Sequence, residues 1–414
     1  MTLETGNIIL CLHKHTQRQE LFDGKVILRI VRRKEIDERT TLWTISFENN
    51  KVASKKEIDQ NTAALFQCQL VLRGNFSPID NSGKTSSNPE RRKQDFLYRN
   101  MHSYAVGHGC SVTWEDNAAC VNEIRSTFLP RTAVSQMIAV TDNSLQCFRM
   151  SSWTNERKEQ SLAEMSVYLQ KYAVWAERLH MQSGGIPAVY QDTARDVLSQ
   201  ISDCQERLQQ GLDLLRTNDT AWQAFCFMNK AMMRQSAKKR HQSEQTVSWY
   251  PFQLCYVLMC IPDMINVKTQ WRNKVDLLWF PTGGGKTEAY LGVAAFTIFY
   301  RRLTRGEAGS GVTVLMRYTL RMLTAQQFER AAALICECDL IRRQEKLPGG
   351  EISIGLWVGS EVTPNHVYSD REEAETAAVI LEKLEQNTID EVKSSPVQLS
   401  VCPYCNTPLL PCNA

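Results

Sequence analysis

The sequence has no long uninterrupted apolar run. Its greasiest stretch, Phe252 to Ile265, is broken by Gln253, Pro262 and Asp263, so it is too short and too interrupted to span a bilayer. The opening residues Met1-Thr2-Leu3-Glu4-Thr5-Gly6 show no basic segment leading into an apolar one. No export signal is read there, and a cytoplasmic protein with no membrane partner is expected. Excess charge of one sign is also lacking. A net charge of +3 over 414 residues neither demands nor excludes nucleic acid, because binding depends on local basic patches. No internal repeat or low-complexity tract is found. What remains is ordinary globular composition, 43% hydrophobic and 22% charged, at a length that allows two or three domains. Cysteine is plentiful at fourteen, but most stand singly, such as Cys11, Cys68, Cys110, Cys147, Cys204 and Cys226. Without an export signal these read as small hydrophobes kept reduced.

Four regions follow from the patterning. Over residues 1–150, short runs alternate apolar and polar side chains, as in Lys25–Val31, Thr41–Phe47 and Phe66–Leu72, which predicts a β-rich region. Asn75 to Lys93 reads as loop. Over residues 151–245 the period changes. Leu162, Met165, Leu169 and Tyr172, then Val197, Ile201, Leu208, Leu212 and Leu215, recur at helical spacing, predicting three or four amphipathic helices broken at Gly184-Gly185-Ile186-Pro187. The basic run Lys238-Lys239-Arg240-His241 reads as a solvated turn rather than a phosphate contact. Over residues 246–399 the order becomes strand, Gly-rich turn, helix, strand, helix, strand. The strands are Val275–Phe280, Val312–Arg317 and Ile352–Val358, and the helices Lys286–Arg302 and Leu320–Ile341. That alternation predicts an α/β fold with a parallel sheet. Residues 400–414 open with Cys402-Pro403-Tyr404-Cys405, which looks like the first half of a zinc ribbon. Two thiolates on one turn suit a tetrahedral Zn2+, but two further ligands are needed; Cys412 is a candidate third. The plain alternative is a pair of reduced thiols that bind nothing.

The sharpest motif is Phe280-Pro281-Thr282-Gly283-Gly284-Gly285-Lys286-Thr287, placed where a strand gives way to a helix. Phosphate needs inward-pointing N–H groups, which Gly-rich backbone supplies without side-chain clash, and it gains from the positive end of the helix that follows. Lys286 then reaches the β- and γ-phosphates of ATP, and the Thr287 hydroxyl takes one position on Mg2+. A Gly-rich turn that binds nothing is the bland alternative. Phe280 stands where the general pattern has glycine, and the loop resembles the Pro-Thr-Gly-x-Gly-Lys-Thr form of superfamily two helicases. Two further segments agree with that resemblance. In Trp249-Tyr250-Pro251-Phe252-Gln253 the Gln253 amide can pair with both donor and acceptor of the adenine edge, although Pro-Phe-Gln is also a plausible helix start. Arg317–Gln327 is similar to the element that holds the phosphates of a nucleic-acid strand, which points to Thr319, Arg321 and Gln326, with Tyr318 in place of the usual proline. An Arg and a Gln on an exposed helix face are the alternative.

Longer stretches narrow the resemblance. Leu277-Leu278-Trp279-Phe280 through Glu288-Ala289-Tyr290-Leu291-Gly292, Val314–Arg321, and Gly355-Leu356-Trp357-Val358-Gly359 look like the helicase-like component of DISARM, a bacterial anti-phage system. Tyr104–Cys110 before Trp114-Glu115 fits the same family. The resemblance covers roughly residues 95 to 414. It implies an incomplete RecA-like phosphate-loop domain behind a helical and a β-rich region, with DNA and other defence-system subunits as partners. His108 and Cys110 can be drawn as a metal pair or a nucleophile with its base, but no third group is identifiable and a tight turn is the preferred reading.

The acid pair such a motor needs, an Asp that positions Mg2+ and a Glu that orients water at the end of an apolar strand, is not found. Asp390-Glu391 has no apolar strand leading into it and is not accepted, so no catalytic residue is assigned. No second ATPase lobe is read either. The expectation is a truncated or split product whose C-terminal half is encoded separately. The rival is a non-catalytic nucleotide-binding module or decayed remnant. A phosphotransferase would need an acceptor pocket and a metal-binding acid, neither of which the sequence offers.

Overall fold

The computed structural model describes residues 15–35, 40–51, 63–78, 86–115, 121–129, 137–142, 144–281, 283–318, 321–359, 362–368, 376–386 and 394–409, with backbone only over 321–325. The chain divides into two compact units, Met1–Ser135 with Pro187–Thr193, and Gln136–Ile186 with Ala194–Ala414.

The first unit carries two antiparallel three-stranded sheets. One is a meander of β1 (Thr16–Leu21), β2 (Val26–Glu35) and β3 (Thr41–Asn49). Its alternation puts Val26, Leu28 and Ile30 on one face with Leu21, Trp43, Ile45 and Leu65, which is what period-two patterning is for. The turn between β1 and β2 takes positive φ at Phe22, Asp23 and Gly24, a twist that suits a hairpin. The second sheet has the order β4 (Val71–Phe76), β6 (Val121–Thr127), β5 (Ser111–Trp114), and a short helix α1 (Pro89–Leu97) starts at an Asn88 cap. Gly107 to Cys110 forms a tight turn, with Gly109 at φ +70° and no room for a Cβ at Gly107 against the Cys110 carbonyl.

The second unit is helical. The expected amphipathic segment becomes α2 (Lys158–Gln182), α3 (Gln191–Thr217) and α4 (Asp219–Arg240), with the break at Ser183–Tyr190 where the glycines and Pro187 lie. Then come α5 (Pro251–Ile265), α6 (Lys286–Arg305), α7 (Arg321–Gln344) and α8 (Ala377–Glu385). One core joins α2 to α7 through Leu162, Met165, Phe225, Met228, Leu254, Phe296, Phe299 and Leu334. Three buried indoles find a partner: Trp153 Nε1 donates to Cys147 O (2.8 Å), Trp222 Nε1 to Asn155 (2.8 Å) and Trp249 Nε1 to Asn229 (2.7 Å). Helices α3 and α5 approach so closely at Gly211 that a Cβ there would meet the Leu258 carbonyl.

The predicted strands of this unit are corrected. Val275–Phe280, Val312–Arg317 and Ile352–Val358 lie outside every sheet, and no parallel sheet is present among the described residues. The two helices expected between them do form, at Lys286–Arg305 and Arg321–Gln344. A strand completes its hydrogen bonds only with a neighbour, whereas a helix completes its own.

Candidate functional site

The loop before α6 is built by its glycines for two separate reasons. Gly283 and Gly285 take φ of +84° and +90°, a region that L side chains avoid, and Gly285 is the residue from which α6 starts. Gly284 has ordinary φ, but a Cβ there would run into the Phe280 ring. The first N–H groups of α6 are thereby left facing the loop without intrahelical partners, beside the positive end of a twenty-residue helix. Lys286 is the first residue of that helix. Its ammonium folds back onto the carbonyls of Phe280 and Pro281, the latter at 3.0 Å. Thr287 is buried, and its hydroxyl meets the Tyr290 hydroxyl at 3.0 Å. Thr282 lies outside the described residues.

Gln253 is brought to the same loop, with its amide engaged at both ends. Oε1 accepts from the Tyr250 N–H (2.8 Å) and so caps α5, while Nε2 donates to the Gly285 carbonyl (2.7 Å). At 2% exposure the side chain is a brace between the start of α5 and the glycine-rich loop. Next to it the rings of Tyr250, Phe252 and Phe280 stack in sequence, the last two at 4.3 Å and 12°.

A buried ion group that the sequence reading missed supports the segment leading into the loop. Arg207 on α3 donates Nη1 to Asp276 (2.5 Å) and Nη2 to both Asp276 (2.8 Å) and Asp263 on α5 (2.7 Å), and lies over the Trp271 ring. Its pKa is driven up by the hydrogen bond to Asp276, which outweighs burial. The signal was there: Arg207 falls on the apolar face of α3, four residues before the packed Gly211. On the other side, Arg330 of α7 pairs with Glu288 in the first turn of α6, and Gln235 Nε2 on α4 donates to the Arg330 carbonyl (2.9 Å).

Of the proposed nucleic-acid residues, Thr319 lies outside the described residues and the side chain of Arg321 is not described; Gln326 is exposed on α7. The residue just before them does reach the loop. Tyr318 hydrogen-bonds with Tyr290, and burial together with that bond raises its pKa. A hydroxyl chain thus runs Thr287–Tyr290–Tyr318. Asp390 and Glu391 lie outside the described residues.

The basic run closes α4. Lys238, Lys239 and Arg240 occupy its last turn, where cations complement the helix dipole, and His241 is the left-handed cap at φ +49°. Lys238 sits 3.3 Å from the centroid of the Tyr404 ring. Tyr404 belongs to the Cys402–Cys405 turn. In that turn Asn406 N donates to Cys402 O and Cys402 N to Thr407 O, both at 2.8 Å, with Asn406 at φ +58°. The Cys405 thiol is pulled down to about 7 by its hydrogen bonds with Thr407 and Cys402. As they stand, no three or more His, Cys, Asp or Glu side chains among the described residues surround a metal position. No described helix is long and apolar enough to cross a membrane.

No known family profile matches the chain. Among characterised proteins it is similar to the DISARM protein DrmA of Bacillus paralicheniformis, with 33% identity over 398 aligned residues that take in 85% of this chain. The chain spans about a third (33%) of that protein's length.

Proposed function

The chain belongs with the DrmA-type components of DISARM, and from that premise we propose that it binds a nucleoside triphosphate, ATP with Mg2+, at the loop 281–287 for a DNA-acting motor of the defence system. The observation that carries this reading is the backbone of Gly283, Gly284 and Gly285 delivering Lys286 and Thr287 at the start of α6. In that role the α6 N–H groups and Lys286 hold the phosphates, and Thr287 is the side chain available to the metal. Lys286 would exchange the two loop carbonyls for phosphate oxygens, which carry full negative charge and therefore attract the ammonium more strongly. Gln253 sets the pose of Gly285 from behind, and Arg207 holds Asp276 in the segment that enters the loop. Movement along DNA through Thr319, Arg321 and Gln326, and contacts with other defence subunits, are part of the same reading, and the chain spans about a third of its relative's length.

Lys286→Ala tests the reading. A fluorescent ATP analogue titrated against the purified chain with Mg2+ should lose affinity by more than about tenfold in the variant, while helix content is kept. Unchanged binding would sink the proposal. A second reading, nucleotide binding without turnover, is favoured by Glu288, whose carboxylate beside the loop is taken up by Arg330. Phosphate release by the chain in the presence of DNA would exclude it.

A further inference from the structure

Helices α4 and α7 and the Cys402–Cys405 turn enclose a cleft of about 600 Å3, whose walls include Arg234, Lys238, Glu337, Leu340 and Tyr404. Clefts of that size take ligands as large as a nucleotide. The least expected member of the wall is Glu337. Its side chain is 1% exposed, and neither carboxylate oxygen has a hydrogen-bond partner among the described residues. Arg234 on α4 stands 3.8 Å from it, an ion pair too long for a hydrogen bond, and gives its Nη1 proton to Gln344 (3.3 Å). A buried carboxylate without donors is costly to keep. Two such oxygens on the wall of a cleft mark a place for N–H groups that a ligand brings.

We propose that this cleft binds a guanine nucleotide, with Glu337 reading the base edge and Arg234 and Lys238 holding the phosphate. Guanine presents N1–H and its exocyclic amine side by side, at the spacing of the two oxygens of a carboxylate, so both Glu337 oxygens are satisfied at once. Adenine and cytosine set an acceptor beside their amino group, and uracil offers one donor between two acceptors. A carboxylate repels those acceptors. A bare amine or guanidinium would also suit Glu337, but it meets repulsion from Arg234 and Lys238 in the same cleft. The phosphate answers those two cations. Lys238 stands over the Tyr404 ring, 3.3 Å from its centroid, which holds the ammonium on the cleft wall. Glu244, exposed at the same cleft, brings it close to neutral, so the base edge rather than charge alone selects the ligand. The Glu337 oxygens are covered in this structure. Arg234 uncovers them as it turns from Glu337 to the phosphate, and the base edge takes over its contact. The cleft shares no residue with the loop 281–287, so the proposal does not rest on the reading of that loop. A free nucleotide and a guanine within single-stranded nucleic acid share this chemistry.

The test is calorimetric titration of the full chain carrying Lys286→Ala, which removes any contribution of the loop 281–287, with guanosine, inosine and adenosine monophosphates. The guanine nucleotide should bind more than about tenfold tighter than the adenine one, because a site built to pair with a donor rejects the analogue that lacks it. The inosine nucleotide keeps N1–H but loses the amine, and should fall between them. In a Glu337→Gln chain of unchanged helix content, guanine affinity should drop by more than about tenfold. That same chain should now prefer xanthosine monophosphate, whose carbonyl accepts from the new amide while its N1–H still donates. A packing role for Glu337 cannot produce that switch. A thymidine pentanucleotide with one central guanine identifies the source. Binding tighter than that of the free nucleotide assigns the cleft to a nucleic-acid strand, and weaker binding assigns it to the mononucleotide. Equal affinity for guanine and adenine, no binding of either guanine probe, or a Glu337→Gln chain that keeps its guanine preference overturns the proposal.

Discussion

Within one unit, the helices around the glycine-rich loop and the extended segments between them have opposite fates. Helices α4 and α6 bury Phe225, Met228, Met232, Ala295, Phe296 and Phe299 almost completely. The neighbouring segments leave Val275, Leu277 and Trp279 at 96%, 82% and 80% exposure, and Trp357 at 99%. Both were read from equally strong patterns. The difference teaches that hydrophobic periodicity guarantees an element only when the element can satisfy its own backbone. A helix pairs N–H with C=O inside itself and then needs only an apolar neighbour for its stripe. An extended chain needs another strand before its alternation means anything, and an exposed apolar row of this kind invites one.

The largest effect in that comparison should come from the bond between the two kinds of region. Arg207→Ala leaves Asp263 and Asp276 without their partner next to a buried core. It should cost about 3–5 kcal/mol, as removing one member of a buried ion pair does. Thermal unfolding followed by circular dichroism checks this, and a loss within the scatter of surface substitutions would mean that the segment before the loop is not held by the helices. A smaller effect is expected at Asp339 on α7. Burial raises its pKa, but hydrogen bonds from Arg342 and from the Ile352 N–H outweigh it and leave the carboxyl below the usual aspartate value. A depressed carboxylate contributes stability that is present above its unfolded value, about 3.9, and lost as pH falls through the folded one. Melting temperature should therefore be insensitive to this group from pH 7 to 5 and fall below about pH 4. Asp339→Asn should remove part of that acid dependence. The smallest effect is expected on the exposed rows. Trp279→Ser and Trp357→Ser should each change stability by no more than about 0.5 kcal/mol. Both should reduce self-association in sedimentation. A large destabilisation there would show that these side chains are buried in solution, contrary to the structure.

Much of the candidate site was legible in the chain. The loop residues Gly283 to Gly285 and the helix after them stand where the Gly-rich pattern places them, because the positive φ values at Gly283 and Gly285 are local requirements that only those residues meet cheaply. The break between α2 and α3, the helical ends near Arg240 and Arg302, and the tight turn at Gly107–Cys110 were legible for the same reason. Gln253 was read as pairing with the adenine edge, and the structure instead shows its amide engaged within the protein. Its amide is spent on Tyr250 and on Gly285, 32 residues away, a geometry that spacing does not reveal. Arg207 carried a weak signal, a charge on an apolar helix face, and gains meaning only from partners far along the chain.

The sequence by itself determined the helices α2 to α4, α6 and α7, the glycine positions of the loop before α6 and the turn at Cys402–Cys405. Each depends on conformations and hydrogen bonds formed within a few residues. Tertiary structure alone decided that Arg207 meets Asp276 across 69 residues, that Gln253 braces Gly285, and that three strand-like segments stay outside any sheet. Those outcomes depend on which distant surfaces come together, and the free energy of such contacts is set by packing and desolvation rather than by residue order.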